Sequence, residues 1–352
     1  MKNVLVDFSH LNDFNGFGEI ARNYCPRLAK AVLPDIHLIM IVPDDKVGAF
    51  GNHITYIRRS KKREDLKKIN INIDLWHATD QQYHLRGGNK NTIQLLTVHD
   101  LNFLREKKGI HKLRHIIQLK WRMHRSDYLT AISGYVKKDI EGYYNMGGKR
   151  IDVIYNGIGN LEIGERRKPA FIKDESEPFF FTIGQIREKK NFHTLVPMMS
   201  HFPKHKLYIC GDDHFAYANE LRRIIDEQGE GRVVLAGKIS DEEKRWLFEH
   251  TEAFLFPSRL EGFGIPVLEA MRFGCKVFSS NLSSLPEVCS EHASYWDNFE
   301  PAYMAKVVSD GLSAWDKEGE EAKSAAEYSR GFNYDTYTEK YISLYQKLLE
   351  GK

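Results

Sequence analysis

The chain has 352 residues, which is too long for one ordinary hydrophobic core and suits two domains of average size. Hydrophobic residues make up 42% and charged residues 28%, which excludes an intrinsically disordered chain. The formal net charge of +3 is too small to indicate a nucleic-acid-binding protein by itself.

The cysteines and the apolar runs indicate the compartment. Cys25, Cys210, Cys275 and Cys289 form no C-x-x-C pair, so we expect neither a disulfide framework nor a zinc knuckle, and a reducing cytoplasm fits. The apolar stretch near the N-terminus is too short for a signal peptide, and no apolar run approaches the roughly 20 residues of a membrane-spanning helix. We therefore expect a cytoplasmic protein that is soluble or lies on a membrane surface.

Short apolar, β-branched runs recur in the first half of the chain and predict buried parallel strands. These runs cover residues 3–8, 37–42, 54–57, 75–78, 93–100, 128–133 and 152–156. Helical patterns lie between several of them, for example at 18–33 and 134–145. Alternation of strands and helices predicts a doubly wound α/β sheet, in which ligands bind at the carboxyl ends of the strands.

The second half of the chain repeats this alternation. Its predicted strands cover residues 179–184, 206–211, 232–237, 253–257 and 276–280. Residues 161–178 are rich in charge and have no clean period, so they predict a linker between domains at 1–160 and 179–333. The tail at 334–350 predicts a long amphipathic helix.

Residues 257–271, "PSRLEGFGIPVLEAM", place Glu261 and Glu269 on either side of a Gly-Phe-Gly turn. Pro266 suits the first position of a helix, and Gly274 suits its C-terminal cap. The N–H groups and the dipole at the start of that helix favour an anion such as a phosphate, with Glu269 near the first turn. Carboxylates also accept hydrogen bonds from the diols of a ribose or a hexose. Taken alone, Glu269 is equally explained as an acid that complements the helix dipole, and Glu261 as a solvated surface carboxylate.

This segment resembles the E-x7-E motif of the large family of retaining glycosyltransferases with the GT-B fold, the glycosyl transferases group 1. The flanking "VFSSNLSSLPEV" at 277–288 matches as well. Weaker similarities follow in the family's order at residues 13–23, 96–106, 129–140, 153–158, 182–196 and 233–248. The resemblance implies two Rossmann-like doubly wound domains facing a cleft. It places the nucleotide-sugar mostly on the second domain and the acceptor mostly on the first, and its last helix returns to the first domain.

The resemblance also implies roles for single residues. Glu269 would bind the ribose hydroxyls, and Glu261 would lie by the donor sugar. Lys190 would neutralise the diphosphate, although a lysine in the charged run "REKKN" is otherwise expected to be solvated. His99 in "TVHDL" would lie beside the reacting carbon, whereas a lone histidine at a strand end is more often structural.

One position departs from the family pattern. Gln185 follows the glycine of its strand where many members have arginine, and Arg187 or Lys189 would have to supply the missing charge. Which of these two basic residues touches the phosphate stays open. The remaining donor contacts that the resemblance implies come from Gly16, Gly18, Gly237, Lys238, Ile239, Gly262, Phe263, Gly264 and Ile265.

Two further patterns have a plain and a functional interpretation. Asp212 and Asp213 follow a strand, as metal-binding carboxylates often do, but no third ligand is near, and we expect a turn and no metal. Basic runs at 58–65 and 111–125 are by default solvated surface. The alternative is an anionic acceptor or contact with acidic lipid headgroups.

Together these features predict a cytoplasmic hexosyltransferase of polysaccharide biosynthesis, peripheral at the inner membrane face if the basic runs bind lipid. We expect transfer from a nucleoside diphosphate sugar, GDP-mannose in the first place, to a hydroxyl of a glycan or lipid-linked glycan. The resemblance implies retention of configuration, and no cofactor, metal or nucleic acid is expected. The alternatives are a noncatalytic nucleotide-sugar or carbohydrate-binding scaffold and an epimerase, both of the same fold.

Overall fold

The computed structural model describes residues 1–13, 15–59, 71–82 and 88–351. It divides into two compact units, of which unit 1 comprises Met1–Gly159 with Asn333–Lys352, and unit 2 comprises Asn160–Phe332. The predicted linker at 161–178 contains no helix or strand and lies within unit 2. Most of the basic run at 58–65 lies outside the described residues. No helix in the described ranges has both the length and the apolar character needed to cross a bilayer.

Unit 1 is built on a parallel sheet of buried strands. The strands are β1 (Lys2–Asp7), β2 (Ile36–Val42), β3 (Thr55–Arg58), β4 (Leu75–Ala78), β5 (Ile93–Val98), β6 (Tyr128–Ala131) and β7 (Ile151–Val153). Their order in the sheet is β3-β2-β1-β4-β5-β6-β7, so the direction of winding reverses between β1 and β4. Among the described residues, the helices before the chain leaves this unit are α1 (Gly16–Lys30), α2 (Phe103–Glu106), α3 (Gly109–His124) and α4 (Gly134–Tyr143). Ligands bind at such a reversal, outside the carboxyl ends of the strands.

Unit 2 repeats this topology with a second parallel sheet. Its strands are β8 (Phe179–Ile183), β9 (Lys206–Cys210), β10 (Val233–Gly237), β11 (Ala253–Phe256), β12 (Lys276–Ser280) and β13 (Ser294–Trp296). The order β10-β9-β8-β11-β12-β13 places the reversal between β8 and β11. Its helices are α5 (Leu195–Met198), α6 (Tyr217–Gln228), α7 (Asp241–His250), α8 (Ile265–Arg272), α9 (Leu285–Cys289), α10 (Pro301–Ser313) and α11 (Glu320–Arg330).

Several sequence predictions about element ends need correction. The helix predicted at 18–33 is α1 and begins two residues earlier, so Gly16 and Gly18, which the resemblance places at the donor, both lie in its first turn. Pro266 is the second residue of α8 rather than the first, and Glu269 therefore lies in the second turn rather than near the first. Glycine and proline mark a helix end only to within a residue or two, because the terminal turns of a helix fray.

The C-terminal helix α12 (Tyr334–Glu350) belongs to unit 1 and packs against α1. Its start is fixed by Asn333, whose Oδ1 accepts a hydrogen bond of 2.8 Å from the N–H of Thr336. The chain passes Gly157 so closely there that an added Cβ would lie 2.6 Å from the backbone nitrogen of Tyr334. Only glycine tolerates that approach.

A buried hydrogen-bond network connects α12 to the sheet of unit 1. The hydroxyl of Tyr345 lies 2.7 Å from that of Tyr24 and 2.6 Å from Nδ1 of His77. Nε2 of His77 lies 2.8 Å from the Thr97 hydroxyl, which in turn lies 2.9 Å from the hydroxyl of Tyr341. Burial lowers the pKa of His77 to about 3, so its ring is neutral and can both donate and accept.

We expect Tyr345→Phe to lower the thermal midpoint of unit 1. The change removes one hydroxyl and leaves buried groups on Tyr24 and His77 without that partner, which costs about 1–3 kcal/mol. Tyr143→Phe is the matched control, because Tyr143 is 53% exposed. Equal midpoints for both variants would show that the network does not hold α12 in place.

Candidate active site

At the carboxyl ends of β8, β9 and β10 in unit 2, glycine residues form backbone hydrogen bonds from one strand end to the next. The N–H of Gly184 donates to the carbonyl of Cys210 over 3.0 Å, and that of Gly211 donates to the carbonyl of Gly237 over 2.7 Å. Gly211 has a φ of 135°, and a Cβ there would lie 1.8 Å from the carbonyl oxygen of Gly184. This edge of the sheet therefore presents backbone that a ligand can approach closely.

Lys190 and Glu261 form an ion pair at this edge. Lys190 ends the short 3-10 turn Glu188–Lys190 after β8, and Glu261 follows β11, the neighbouring strand across the reversal. Nζ of Lys190 lies 2.5 Å from Oε1 of Glu261 and 5.0 Å from the ring centre of Phe256. The two side chains are only 12% and 13% exposed. Two residues expected at the donor are thus brought together.

Backbone contacts hold both members of the pair. The N–H of Arg259 donates to the carbonyl of Lys189 over 2.8 Å, which ties the 3-10 turn to the loop after β11. The N–H of Glu261 donates to Oγ of Ser283 over 3.0 Å. The turn ends at Asn191, which adopts a left-handed φ of 61°. The backbone segments that carry the two charged side chains are therefore held by hydrogen bonds.

The start of α8 lies directly after this loop. Gly264 has a φ of 114°, and a Cβ there would lie 2.8 Å from Cδ2 of Leu285. Phe263 is 3% exposed, and its carbonyl accepts a hydrogen bond of 2.8 Å from the hydroxyl of Ser284. Among the described residues, no side chain caps the helix at Gly264. A helix N-terminus without a side-chain cap suits an anion, as the sequence of residues 262–265 indicates.

Glu269 is buried and paired. It is 3% exposed, and its Oε1 lies 3.0 Å from Nζ of Lys244 on α7. Sequence reasoning missed Lys244. The signal for it is the capping box of Ser240 and Glu243, which starts α7 and sets Lys244 in its first turn.

The other residues predicted at the donor near these strand ends follow β8 and β10. The guanidinium of Arg187 lies 5.1 Å from the ring centre of Phe215. Lys238 is exposed, and its Nζ lies 3.3 Å from Oδ1 of Asp212. Gln185, Lys189 and Ile239 are half-buried. A phosphate contact by either Arg187 or Lys189 stays a prediction, and the choice between them stays open.

The Asp212–Asp213 pair has partners of its own. Asp212 lies 2.7 Å from Nδ1 of His214 as well as next to Lys238, and Asp213 pairs with Arg222. The part of the chain that the structure describes contains no cluster of three or more His, Cys, Asp or Glu residues that could hold a metal ion.

In unit 1, His99 follows β5 and is 6% exposed. Its Nε2 donates to the carbonyl of Thr79 over 2.8 Å, and its backbone N–H donates to Oε1 of Gln81 over 3.0 Å. The ring of Phe17 meets the His99 ring edge to face at 4.9 Å. Burial lowers the pKa of His99, so the ring is neutral with its proton on Nε2.

His10, which sequence reasoning did not single out, lies beside His99 in a pocket lined also by Phe17, Thr79 and Asp80. Nδ1 of His10 lies 2.6 Å from Asp13, and Nε2 lies 3.0 Å from the buried Asp80. The hydrogen bond to Asp80 raises the pKa of His10 to about 9, so the ring is an imidazolium at neutral pH. This ion pair joins the segment after β1 to the segment after β4.

The first turn of α1 is fixed over the same strand ends. Oδ1 of Asn15 accepts a hydrogen bond of 3.0 Å from the N–H of Gly18. A Cβ on Gly18 would lie 1.8 Å from the carbonyl oxygen of Asp13, whereas one on Gly16 would meet nothing within 4 Å. Gly18 is therefore required by packing, whereas a side chain at Gly16 would start in open space.

Comparison with known families decides the classification. A model described as "Glycosyl transferases group 1" matches residues 164–332, and one described as "Glycosyltransferase Family 4" matches residues 20–159. Between them they span most of both units. The chain belongs to the group 1 glycosyltransferases.

Curated relatives of this glycosyltransferase include mannosyltransferases. The O-antigen chain mannosyltransferase RfbU of Salmonella typhimurium is 29% identical over 206 residues, which are 57% of this chain and 56% of that protein. The serotype-specific mannosyltransferase WbdA of Escherichia coli is 24% identical over 202 residues, which are 54% of this chain and 25% of that protein. The chain thus spans about half the length, or less, of these relatives.

Solved structures share the GT-B fold of the glycosyltransferase over its whole length. Sucrose-phosphate synthase from Thermosynechococcus elongatus has a TM-score of 0.75 at 18% identity, with 100% of both chains covered. HepE from Anabaena, solved in complex with UDP and glucose, has a TM-score of 0.72 at 17% identity and covers 98% of this chain and 99% of its own. At such identities the likeness concerns the fold alone.

We expect His10→Asn to destabilise this glycosyltransferase in a pH-dependent way. The pKa of His10 is raised from its ordinary 6.5 to about 9, so its ion pair stabilises fully below pH 6.5 and is lost as the pH rises through about 9. The variant should lose about 1–3 kcal/mol at pH 7, and the loss should shrink above pH 9.

Thermal melts of both proteins between pH 7 and pH 10 measure this difference. His37→Asn is the control, because His37 pairs with the hydroxyl of Thr55 instead of a carboxylate. A His10→Asn penalty that stays constant across the range would mean that the ion pair does not carry the stabilisation.

Proposed function

We propose that the enzyme moves a hexosyl group, mannosyl in the first place, from a nucleoside diphosphate sugar to an acceptor hydroxyl. The observation that carries the proposal is the Lys190–Glu261 ion pair at the carboxyl ends of β8 and β11, beside the N-terminus of α8. Mannose is favoured because the relatives RfbU and WbdA are named mannosyltransferases, and we propose GDP as the nucleotide that carries it. HepE, which shares the fold, was solved with UDP, so the choice of GDP rather than UDP is itself a proposal.

Lys190 is proposed to bind the diphosphate. In the structure the ammonium of Lys190 pairs with the carboxylate of Glu261, and both side chains are largely shielded from water. A diphosphate oxygen would replace the carboxylate as the partner of Lys190, so the shielded ammonium would keep a negatively charged partner. The same ammonium would then stabilise the negative charge that develops on the leaving group.

Glu261 is proposed to receive the sugar in this exchange. Once Lys190 turns to the diphosphate, both carboxylate oxygens of Glu261 can accept hydrogen bonds from sugar hydroxyls. The N–H of Glu261 is held by Ser283, so the carboxylate stays at the edge of the sheet during the exchange. His99 stays a predicted contact to the same sugar.

Glu269 is proposed to hold the ribose. Lys244 occupies its Oε1 at 3.0 Å, and Oε2 is the oxygen that would accept from a ribose hydroxyl. The ammonium of Lys244 balances the charge of this buried carboxylate and fixes its orientation. A preorganised acceptor loses little entropy when the nucleotide binds.

The acceptor is proposed to be a glycan or a lipid-linked glycan, and a glycan is supported by the name of the relative RfbU, an O-antigen chain mannosyltransferase. We also propose that the enzyme contacts an acidic membrane surface, which would bring it to a lipid-linked acceptor. The helix α3 supports this part of the proposal, because it contains lysine and arginine residues and no acidic residue and would therefore be attracted to acidic headgroups.

Lys190→Ala should lower turnover of GDP-mannose by roughly 10²–10³, the usual effect of losing one group that stabilises a developing charge. Lys204→Ala is the matched control, because Lys204 is an exposed lysine of the same unit. Steady-state kinetics on the folded variants measure the change. Unaltered turnover in Lys190→Ala would transfer the role to Lys189 or Arg187.

The two acids should separate in nucleotide binding. Glu269→Ala should weaken binding of the free nucleoside diphosphate by about tenfold, because it removes a ribose contact. Glu261→Ala should leave that affinity nearly unchanged and reduce turnover, because it acts on the sugar. Calorimetry with nucleoside diphosphate measures both affinities, and equal, normal binding by the two variants would refute this division of roles.

The reaction itself provides the test of the function. Lys190 and the N-terminus of α8 are charges and dipoles already in place, so most activity should persist in excess chelator. Proton NMR of the product should show the original anomeric configuration and a free nucleoside diphosphate. Activity that requires manganese would return Asp212 and Asp213 to consideration, an inverted product would contradict retention, and nucleotide binding without turnover would favour a noncatalytic scaffold.

A further inference from the structure

The helix α3 of unit 1 carries a row of large apolar side chains on its exposed face. Four residues spaced three or four apart form this row, so they lie on one side of the helix. They are Ile110, Leu113, Ile117 and Trp121, with exposed fractions of 77%, 55%, 58% and 50%. The buried residues of the same helix, Leu119 and Met123, face the other way.

Positive charge borders this row on both sides. At about 100° per residue, Arg114 and Lys120 lie roughly 60° to either side of Ile117. The guanidinium of Arg125 lies 4.5 Å from the ring centre of Trp121. The helix Gly109–His124 contains no Asp or Glu, so nothing on it balances these cations.

Unit 1 holds α3 in place from the opposite side. Arg122 donates to the backbone carbonyl of Gln81. At the C-terminal end, Nζ of Lys149 donates to the carbonyls of Met123 over 3.2 Å and Ser126 over 2.6 Å. The apolar row is therefore presented by an anchored helix.

We propose that α3 lies in the interface of an anionic membrane. Four exposed apolar side chains in a row exceed the single exposed apolar residues of an ordinary surface. Their basic borders fit a covering surface that is apolar beneath and negatively charged above, which is the arrangement of acyl chains and acidic headgroups. This inference rests on the proposed function in one respect: it assigns the proposed membrane contact to α3. It does not depend on which sugar is transferred.

Vesicle binding tests the proposal on the full chain. We expect the protein to sediment with vesicles of phosphatidylcholine and phosphatidylglycerol in equal amounts, to bind less as salt is raised, and to ignore phosphatidylcholine alone. Trp121 fluorescence should shift to the blue on binding, because its half-exposed ring enters the interface. Trp121→Phe should abolish that shift.

Two substitutions on the exposed face should weaken the binding. Ile117→Glu and Lys120→Glu should each lower the vesicle partition roughly tenfold or more. Lys340→Glu on α12 is the control for both: it makes the same charge change as Lys120→Glu and a larger one than Ile117→Glu, at an exposed residue of unit 1. Calorimetry with nucleoside diphosphate on the same samples monitors the donor site independently, so loss of one binding activity does not imply loss of the other.

Three outcomes would overturn the proposal. The first is equal binding to mixed and to pure phosphatidylcholine vesicles, or binding to neither. The second is an effect of Ile117→Glu no larger than that of Lys340→Glu. The third is a wild-type dimer that Ile117→Glu converts to a monomer, which would assign the apolar row to a second copy of the chain.

Discussion

The ion pair of Lys190 and Glu261 is the constraint on which the candidate site depends. The two residues are 71 positions apart in the chain and meet because β8 and β11 are neighbours where the sheet order reverses. A shielded charge without a partner is strongly destabilising, so neither side chain can be displaced unless a ligand supplies a new partner. An anionic donor with hydroxyl groups offers one partner to each: phosphate to the lysine and hydroxyls to the carboxylate.

Unit 1 uses the same arrangement with different residues. His10 follows β1 and Asp80 follows β4, and these strands are neighbours where the first sheet reverses. In each unit a cation after the central strand thus pairs with an acid after the strand across the reversal. Both pairs use one property of the doubly wound sheet, which leaves a crevice between strands whose helices go to opposite faces. In unit 1 the ring centre of Phe17 lies 5.3 Å from that of His10 and 4.9 Å from that of His99.

The sequence predicts what is local and misses what is distant. Strand ends, glycine turns and the acids Glu261 and Glu269 are recognisable because each depends on a short run of residues. Lys244 and His10 were missed because their roles come from contacts with Glu269 and Asp80, which are 25 and 70 positions away. The exposure of single side chains could not be predicted either. The pattern of α3 does not indicate that Ile117 is exposed, since an amphipathic helix usually turns its apolar residues inward.

The most direct measurement is thermal melting of the wild-type chain in a panel of nucleoside diphosphates and their sugars. The account predicts that at least one nucleoside diphosphate raises the melting temperature, with a dependence on ligand concentration that follows mass action. GDP is expected to give the larger shift, and inorganic pyrophosphate a smaller one, because it lacks the ribose that Glu269 would hold. No stabilisation by any nucleotide, or equal stabilisation by pyrophosphate, would contradict the claim that the strand ends of unit 2 form a nucleotide-sugar site.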